Sequence, residues 1–189
     1  MEHARCYLFL IVPLAEQAKK YLITLTNLLI IRTNAENPDF IELVKHLDIE
    51  LAERDGAEHS FYAPFNTISS IKHVVLAYDH DKPVGCGAMK EYEPGTMEIK
   101  RMYVLPEARG KGIAAEILAA LEAWAKELSI TRCILETGHK QPEAIALYKK
   151  CGYRVIPNYG QYVAVENSLC FEKRFEDEKV FFLLPHTSE

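Results

Sequence analysis

A two-glycine loop between a strand-like run and a long amphipathic segment is the feature that most constrains how this chain can fold. The strand-like run ends at Val104, the loop contains Gly110 and Gly112, and apolar residues recur at helical spacing from about Lys111 to Leu128. The first turn of a helix carries backbone N–H groups without intrahelical partners, and the helix dipole is positive at that end. Glycine lets the backbone approach a bulky anion closely. The junction therefore predicts a phosphate or pyrophosphate site.

Three sequence patterns can be compared with this loop. A Walker loop is excluded, because no Gly-Lys-Ser/Thr closes it. Residues 110–115 fit the dinucleotide pattern G-x-G-x-x-G/A. Arg109, Gly112 and Ala114 fit R/Q-x-x-G-x-G/A, the signature of the GNAT superfamily of acetyl-CoA-dependent N-acetyltransferases, which this region resembles. Under either pattern, Arg109 and Lys111 add fixed positive charge beside the loop.

Size and composition narrow the classes of function. A chain of 189 residues with 49% hydrophobic and 26% charged residues is typical of one globular domain. The net charge of −5 and the lack of a basic stripe argue against a nucleic-acid partner, and they are compatible with a cationic amine substrate. No apolar run in the sequence is long enough to span a membrane.

The cysteines and the N-terminus bear on the compartment. The five cysteines are scattered, and neither C-x-x-C nor Cys/His metal spacing occurs. This predicts reduced thiols, no metal site and a cytoplasmic protein. The apolar run from Tyr7 to Val12 is faintly similar to a signal-peptide core, but Pro13 and charged residues follow it without a small-residue cleavage site. We therefore expect residues 1–27 to be an N-terminal extension.

Periodicity, caps and turn residues divide the rest of the chain. We expect a single domain over residues 28–175 and a C-terminal tail over residues 176–189, with elements in the order β-α-β-β-β-α-β-α-β-β. The predicted strands are Leu28 to Arg32, Val74 to Tyr78, Val84 to Lys90, Met97 to Val104, Cys133 to Glu136, Tyr153 to Ile156 and Ser168 to Phe175. The predicted helices begin near Pro38, Lys111 and Pro142 and end near Asp55, Leu128 and Gly152.

The connections between the strands bear on the dinucleotide pattern. Short turns at residues 79–83 and 93–95 imply an antiparallel meander before the glycine loop. A dinucleotide-binding unit normally places this loop after the first buried strand of a parallel sheet, whereas the strand here carries Glu98, Lys100 and Arg101. Glu136 is the one feature that favours the dinucleotide pattern, because it ends the next strand, where a ribose-binding acid could lie. The order of elements thus favours a mixed sheet.

A second motif extends the resemblance to GNAT acetyltransferases. Residues 141–153, QPEAIALYKKCGY, are similar to the family's N-x-x-A-x-x-L-Y-x-x-x-G-F, with Gln141 in place of asparagine and Tyr153 in place of phenylalanine. Together with the order of elements, the resemblance covers about residues 29 to 175. It implies an α/β (α+β) fold in which helices flank a central mixed, mostly antiparallel sheet.

The resemblance also implies where acetyl-CoA binds. The strands that end at Val104 and at Glu136 would splay, and the pantetheine arm would lie in the gap, paired with backbone groups near Met102 and Val104. Gln141 would contact this arm, and Tyr148 would lie near the thioester sulfur. The pyrophosphate would rest on the backbone N–H groups of Arg109, Gly110, Lys111, Gly112, Ile113 and Ala114.

In the GNAT family the amine of the acceptor attacks the thioester of acetyl-CoA directly. The resemblance therefore implies chemical roles for several residues of this chain. Glu98 is the candidate base, with Glu136 in reserve. The alternative for Glu98 is a surface carboxylate paired with Lys100, which shares its strand face unless a bulge intervenes. Tyr148 is the candidate acid at the leaving sulfur, or else a core aromatic side chain. The backbone N–H of Met102 would bind the thioester oxygen.

The predicted function is therefore an N-acetyltransferase that moves the acetyl group of acetyl-CoA to a primary amine of a small molecule, without a metal. Aromatic residues near Phe61 and Tyr159 suggest a small-molecule pocket. The alternatives are a CoA-binding regulator that has lost catalysis and an NAD-binding protein. The apolar runs Tyr7 to Val12 and Val180 to Leu184 suggest packing on each other or a homodimer contact. Cys151, at a helix C-terminus where the dipole disfavours a thiolate, is expected to be structural.

Overall fold

The computed structural model describes residues 28–56 and 68–175, which form one seven-stranded sheet and three α-helices. The strands are β1 Leu28–Thr33, β2 His73–Asp79, β3 Lys82–Glu93, β4 Thr96–Val104, β5 Arg132–Gly138, β6 Arg154–Ile156 and β7 Ser168–Arg174. The helices are α1 Pro38–Asp55, α2 Ile113–Glu127 and α3 Pro142–Lys150. The strand order is β1-β2-β3-β4-β5-β7-β6, and only β4 and β5 are parallel neighbours. The predicted order of elements and the mixed sheet are confirmed.

Helix α1 begins where the sequence predicts it. The side-chain oxygen of Asn37 accepts hydrogen bonds from the backbone N–H groups of Asp39 at 2.9 Å and Phe40 at 3.4 Å. Pro38 follows at the first helical position, where its missing N–H costs nothing. The helix packs on β3 and β4 through four buried side chains, Phe40, Leu43, Val44 and Leu47. Burying each large side chain contributes about 1.5–3 kcal/mol and fixes α1 beside β4.

Helix α2 covers the opposite face of the sheet. Its fully buried residues Ile117, Leu118 and Leu121 pack on β2, β3 and β4. The two helices bury separate clusters of core residues, because side chains alternate between the sheet faces along each strand. The glycine loop therefore leads from the C-terminal end of β4 directly onto the α2 face.

The ends of α2 differ slightly from the prediction. The helix begins at Ile113 rather than Lys111, because Gly110 and Gly112 have φ angles of 77° and 83°, which are outside the helical region. It ends at Glu127, and the predicted last buried residue, Leu128, is the C-cap and is exposed.

Strand β4 contains a bulge. The β3–β4 register shifts between the Cys86–Tyr103 pair and the Ala88–Lys100 pair, so β4 carries one extra residue at this point. Arg101 adopts a φ of 55°, which is uncommon for a residue other than glycine. The side chain of Arg101 is buried on the α1 face, where it forms an ion pair with Asp48.

The bulge changes which face the later residues of β4 occupy. Met102 and Val104 pack in the core cluster under α2, together with residues 97 and 99. Glu98 and Lys100 alternate with residues 97 and 99 and so lie on the α1 face. Simple alternation along β4 would place Met102 and Val104 on the same face as Glu98 and Lys100. The bulge places them on the opposite face instead. Gly87 makes room for the shift, since a Cβ there would lie 2.4 Å from Sδ of Met102.

Strands β4 and β5 part after a short paired segment. They pair at Thr96–Arg132, Met97–Cys133 and Glu98–Ile134, and no later residues of these two described strands are paired. Strand β5 continues to Gly138 with β7 as its neighbour on the other side. The predicted splay is confirmed, and Glu98 stands at the point where it opens.

Several predictions concern residues outside those described. They include the N-terminal extension, the aromatic run from Phe61 to Asn66 and the C-terminal apolar tail. The division of the chain into an N-terminal extension, a domain over residues 28–175 and a C-terminal tail therefore stays a prediction. Among the helices that the structure describes, none has the length and apolar character needed to cross a membrane.

Candidate active site

A cleft with a volume of about 410 Å³ opens where β4 and β5 part. Its walls come from β4 after its first two residues, the end of β5, the glycine loop, the start of α2, one face of α3 and the C-terminal half of α1. The cleft brings together all of the site residues predicted from the sequence except Lys111. Lys111 is exposed, and its ammonium lies 4.0 Å from the carboxylate of Asp79.

The glycine loop presents open backbone to this cleft. Gly112 is the N-cap of α2, and no side-chain hydrogen bond from the described residues caps the first turn. A Cβ built on Gly110 or Gly112 would meet no atom within 4 Å. The N–H groups at the start of α2, including those of Ile113 and Ala114, therefore adjoin unfilled space at the positive end of the helix dipole. This geometry suits a phosphate group.

Arg109 is held by the protein itself. Its Nε donates to the backbone oxygen of Val104 at 2.9 Å, and its Nη2 donates to Oε2 of Glu50 in α1 at 2.6 Å. The guanidinium also lies 5.6 Å from the ring centroid of Tyr103. Burial alone would raise the pKa of Glu50, but Arg109 and Arg54 outweigh this effect and lower it. Arg109 therefore anchors the loop to α1, a contact that the sequence did not predict.

The open edge of β4 and the start of α3 face each other across the cleft. Met102 and Val104 line the cleft from β4, whose edge towards β5 has no strand partner after Glu98. Gln141 is the N-cap residue of α3 and lines the cleft, and within the described part of the chain its side chain makes no capping hydrogen bond. Backbone N–H and C=O groups at a buried edge require partners, so an extended, amide-containing chain fits this gap.

Glu98 lies at the base of the cleft and is buried. Its Oε1 accepts a hydrogen bond from the phenol of Tyr159 at 3.1 Å, and its Oε2 lies 3.2 Å from the ammonium of Lys100. The predicted ion pair with Lys100 is confirmed, but Glu98 is not a surface carboxylate. Buried carboxylates are rare unless they are paired and hydrogen-bonded, as this one is.

The contact of Tyr159 with Glu98 is a feature of the site that sequence reasoning missed. Tyr159 lies in the segment between β6 and β7, packed edge-on against Tyr92 at 5.1 Å and Tyr162 at 5.8 Å between ring centroids. Burial and then the charge of Glu98 raise the pKa of Tyr159, so its phenol stays protonated and donates. The aromatic content of residues 156–162 was the available signal, although it does not identify the acceptor of the hydrogen bond.

Tyr148 is both a core residue and a cleft residue. It is buried on α3, with its ring 5.8 Å from that of Tyr153 and 6.0 Å from that of Phe171, and it lines the cleft. Burial raises the pKa of Tyr148, and the nearby carboxylate of Glu136 raises it further. Its phenol is therefore a neutral hydrogen-bond donor throughout the ordinary pH range.

Two other residues bear on the chemistry of this region. Glu136, the reserve base, lines the cleft from β5, near enough to Tyr148 to affect its pKa. Burial raises the pKa of Cys151, so this thiol is a poor nucleophile, as expected for a structural residue.

No group of three or more potential metal ligands occurs within residues 28–56 and 68–175.

Comparison with known proteins identifies this arrangement. The model of the acetyltransferase (GNAT) family matches residues 36–153, which include the glycine loop, the parted strands and α3. The chain belongs to the GNAT family. The protein is accordingly an N-acetyltransferase, and the GNAT fold explains the gap between β4 and β5 as part of the family's architecture.

Two relatives of this GNAT chain match it over most of their own length. It is 33% identical to an IAA acetyltransferase from Azospirillum brasilense over 149 residues, which cover 78% of this chain and 97% of the relative. It is 38% identical over 133 residues to the uncharacterized N-acetyltransferase YjgM from Escherichia coli, covering 66% of this chain and 80% of that protein. The similarity thus spans nearly the whole of one relative and most of the other.

Solved GNAT structures share the fold. A putative acyl-CoA N-acyltransferase from Klebsiella pneumoniae is 29% identical, with a TM-score of 0.65 over 78% of this chain and 97% of that one. PaiA N-acetyltransferase from Thermoplasma acidophilum, solved in complex with coenzyme A, is 18% identical, with a TM-score of 0.57 over 78% of this chain and 99% of that one. The second likeness concerns the fold alone.

Proposed function

We propose that this GNAT enzyme transfers the acetyl group of acetyl-CoA to the primary amine of a small molecule in the cytoplasm. The observation that carries the proposal is the position of Glu98. Its buried carboxylate lines the cleft at the point where β4 and β5 part, and the glycine loop lines the same cleft. A candidate proton acceptor and a candidate anion site thus share one groove.

The donor site supports acetyl-CoA in three ways. The uncapped N–H groups after Gly112 suit the pyrophosphate. The open edge of β4 at Met102 and Val104 suits the amide groups of the pantetheine arm, which Gln141 faces from α3. Acetyl-CoA would supply an activated acyl carbon, and we assign the binding of the thioester oxygen to the backbone N–H of Met102.

Glu98 is the proposed base. The acceptor arrives as an ammonium and must lose a proton before its nitrogen can attack the thioester carbon. Tyr159 and Lys100 each bind one carboxylate oxygen of Glu98, so the orientation of the base is fixed. Catalysis gains from such fixed geometry, because no entropy is lost in orienting the group during the reaction.

Tyr148 is the proposed donor to the leaving sulfur. Because burial raises its pKa, the phenol holds its proton more tightly than a thiol does. Tyr148 therefore stabilises the departing thiolate by a hydrogen bond, and the thiolate takes its proton from solvent on release. This role needs the hydroxyl group, whereas a purely structural aromatic ring does not.

Thermal unfolding with separate ligands tests the donor site. A ligand present at a hundred times its Kd stabilises a protein by about 2.7 kcal/mol. We expect acetyl-CoA and free CoA to raise the unfolding temperature and NAD to leave it unchanged. Stabilisation by NAD alone would contradict the donor assignment.

An acetylation assay tests the reaction. The enzyme with acetyl-CoA and a panel of small amines should release free thiol, and mass spectrometry should detect the N-acetylated product. Acetyl-CoA binding without turnover on any amine, or on a mixture of lysine peptides, would favour the CoA-binding regulator. Turnover on lysine peptides alone would contradict the small-molecule assignment.

A further inference from the structure

The ion pair between Glu98 and Lys100 restricts which acceptor the cleft can hold. Both side chains line the cleft on the α1 face, and their exposed fractions are only 9% for Glu98 and 11% for Lys100. Lysine is almost never this buried unless its charge is paired. Within the described residues, Glu98 is the ion-pair partner of Lys100.

Several neighbouring charges are compensated by other partners. The guanidinium of Arg101, which is buried on the same face, pairs with Asp48. Glu50 pairs with Arg109, and Glu143 pairs with Arg54 across the mouth of the cleft. Lys100 has three N–H donors, and the cleft provides space next to it. Arg101, Arg109 and Arg54 are paired with carboxylates other than the candidate base. Lys100, by contrast, is paired with Glu98 itself.

This dependence creates a conflict for a simple amine. An ammonium that binds Glu98 brings a second positive charge next to Lys100. When Glu98 then accepts the proton and becomes neutral, the buried ammonium of Lys100 loses its counter-charge. A buried charge without a partner is strongly unfavourable. An acceptor that carries its own negative group removes the conflict, because that group can pair with Lys100.

We propose that the acceptor is an amino acid or a similar short zwitterion, whose carboxylate binds Lys100 while its amine faces Glu98. The proposal rests on the acetylation of an amine described above and narrows its substrate class. Glu98 and Lys100 are two residues apart on one strand face, about 6.6 Å along the strand. An acceptor whose amine and carboxylate are separated by one to three carbons can reach both side chains, because their charged atoms, Oε2 of Glu98 and Nζ of Lys100, are 3.2 Å apart. The flexible four-carbon stem of Lys100 lets its ammonium move from Glu98 to the acceptor.

Matched acceptors test the proposal on the full-length enzyme. Each set contains an amino acid, its carboxamide and its decarboxylated amine: L-leucine, L-leucinamide and isoamylamine form one set, and γ-aminobutyrate, 4-aminobutanamide and propylamine form another. Thiol release gives kcat/KM for each acceptor. We expect kcat/KM for the amino acid to exceed that for the other members of its set by at least tenfold.

A preference for the carboxamide or for the decarboxylated amine would overturn the carboxylate-binding site and leave the acetylation of an amine intact. If no acceptor of any kind is acetylated although acetyl-CoA binds, the proposed function fails together with the inference. The two failures are thus distinguished by whether the relatives of the amino acid that lack its carboxylate are acetylated.

Variants of Lys100 assign the preference to this residue. Lys100→Met keeps the length of the stem and removes the charge, and it should reduce the ratio of kcat/KM between amino acid and decarboxylated amine at least tenfold. Lys100→Arg keeps a positive charge and should retain most of the ratio. Lys45→Met, at an exposed lysine of α1, is the matched control and should leave the ratio unchanged. An unchanged ratio in Lys100→Met would overturn the proposal.

A measurement on the unmodified enzyme guards against a variant that does not fold. The carboxylic acid 4-methylpentanoate has the carboxylate and side chain of leucine without the amine. It should inhibit acetylation competitively against the amino acid, and the alcohol 4-methylpentanol should not. Equal inhibition by the acid and the alcohol would contradict a cationic group that binds the carboxylate.

Discussion

The phenol of Tyr159 donates a hydrogen bond of 3.1 Å to Oε1 of Glu98, although the two residues are 61 positions apart. Lys100 binds the other carboxylate oxygen. Together they hold the proposed base in one orientation, with Tyr159 contributing from outside the cleft wall. Tyr159 is therefore a positioning residue.

Tyr159→Phe should lower kcat about tenfold, because a hydrogen bond to a charged group contributes about 1.5 kcal/mol. The affinity for free CoA should not change, since Tyr159 does not line the donor part of the cleft. Tyr92→Phe is the control: the ring of Tyr92 packs on Tyr159, and kcat should stay within a factor of two. Equal losses in both variants would indicate disturbed packing rather than positioning of Glu98.

Glu98→Gln should lower kcat by about 10²- to 10⁴-fold, the usual contribution of a general base. The amide is similar in size, so the unfolding temperature shift with acetyl-CoA should persist. Steady-state kinetics and thermal unfolding measure the two effects. Glu91→Gln, at an exposed carboxylate of β3, should keep full activity. Retention of turnover by Glu98→Gln would transfer the role of the base to Glu136.

Tyr148→Phe should lower kcat about 10- to 100-fold, because the departing thiolate loses a hydrogen-bond donor. The ring contacts with Tyr153 and Phe171 remain, so the unfolding temperature should change little. Tyr78→Phe also removes a hydroxyl that donates a hydrogen bond, to Asp39 at 2.5 Å, but does so outside the cleft and should not alter kcat. Full activity of Tyr148→Phe would mean that Tyr148 is only a core aromatic residue.

Gly112→Ala should weaken binding of acetyl-CoA. An alanine at a φ of 83° costs about 1–2 kcal/mol, and its Cβ would occupy the open space beside the first turn of α2. Gly95→Ala introduces the same strain at a φ of 79°, in the turn between β3 and β4. Both variants should lose similar stability in urea unfolding, and only Gly112→Ala should lose affinity in titration calorimetry. Equal affinities of the two variants for acetyl-CoA would contradict the assignment of the glycine loop to the donor site.

Glu172→Gln should lower the unfolding free energy by about 1–2 kcal/mol at pH 7. Glu172 accepts hydrogen bonds from Arg154 at 2.7 Å and from Arg174 at 3.4 Å. Burial raises the pKa of Glu172, but these bonds outweigh burial and lower it. A lowered pKa gives stability above the unfolded pKa, about 4.3, that is lost as the pH falls through the folded pKa. The difference from wild type should therefore disappear in acid, whereas the exposed Glu166→Gln should show none.

Local chemistry explains which parts of the fold the sequence could predict. The cap at Asn37 and Gly152 after α3 act within a few residues, and the structure has both. The antiparallel meander and the mixed sheet followed from short turns and one crossover. The site residues could be placed in one cleft because two adjacent motifs, around Gly112 and Tyr148, carry most of them.

Tertiary contacts explain what the sequence could not predict. Arg109 binds Glu50 across 59 residues, and no local pattern indicates that pairing. The bulge at Arg101 uses a residue other than glycine at positive φ, which leaves no compositional signal. Tyr159 lies in a segment without regular periodicity, so its contact with Glu98 depends on how β7 and β4 are joined through β5.

The bulge in β4 divides one strand into two independent functional parts. Before Arg101, side chains on the α1 face can meet the acceptor, and after it, the main chain and side chains serve the donor and the α2 core. Substitutions at position 100 can therefore alter the selection of the acceptor without repacking positions 102 and 104. A lineage, or a protein engineer, could change what this scaffold acetylates while its source of acetyl groups stays the same.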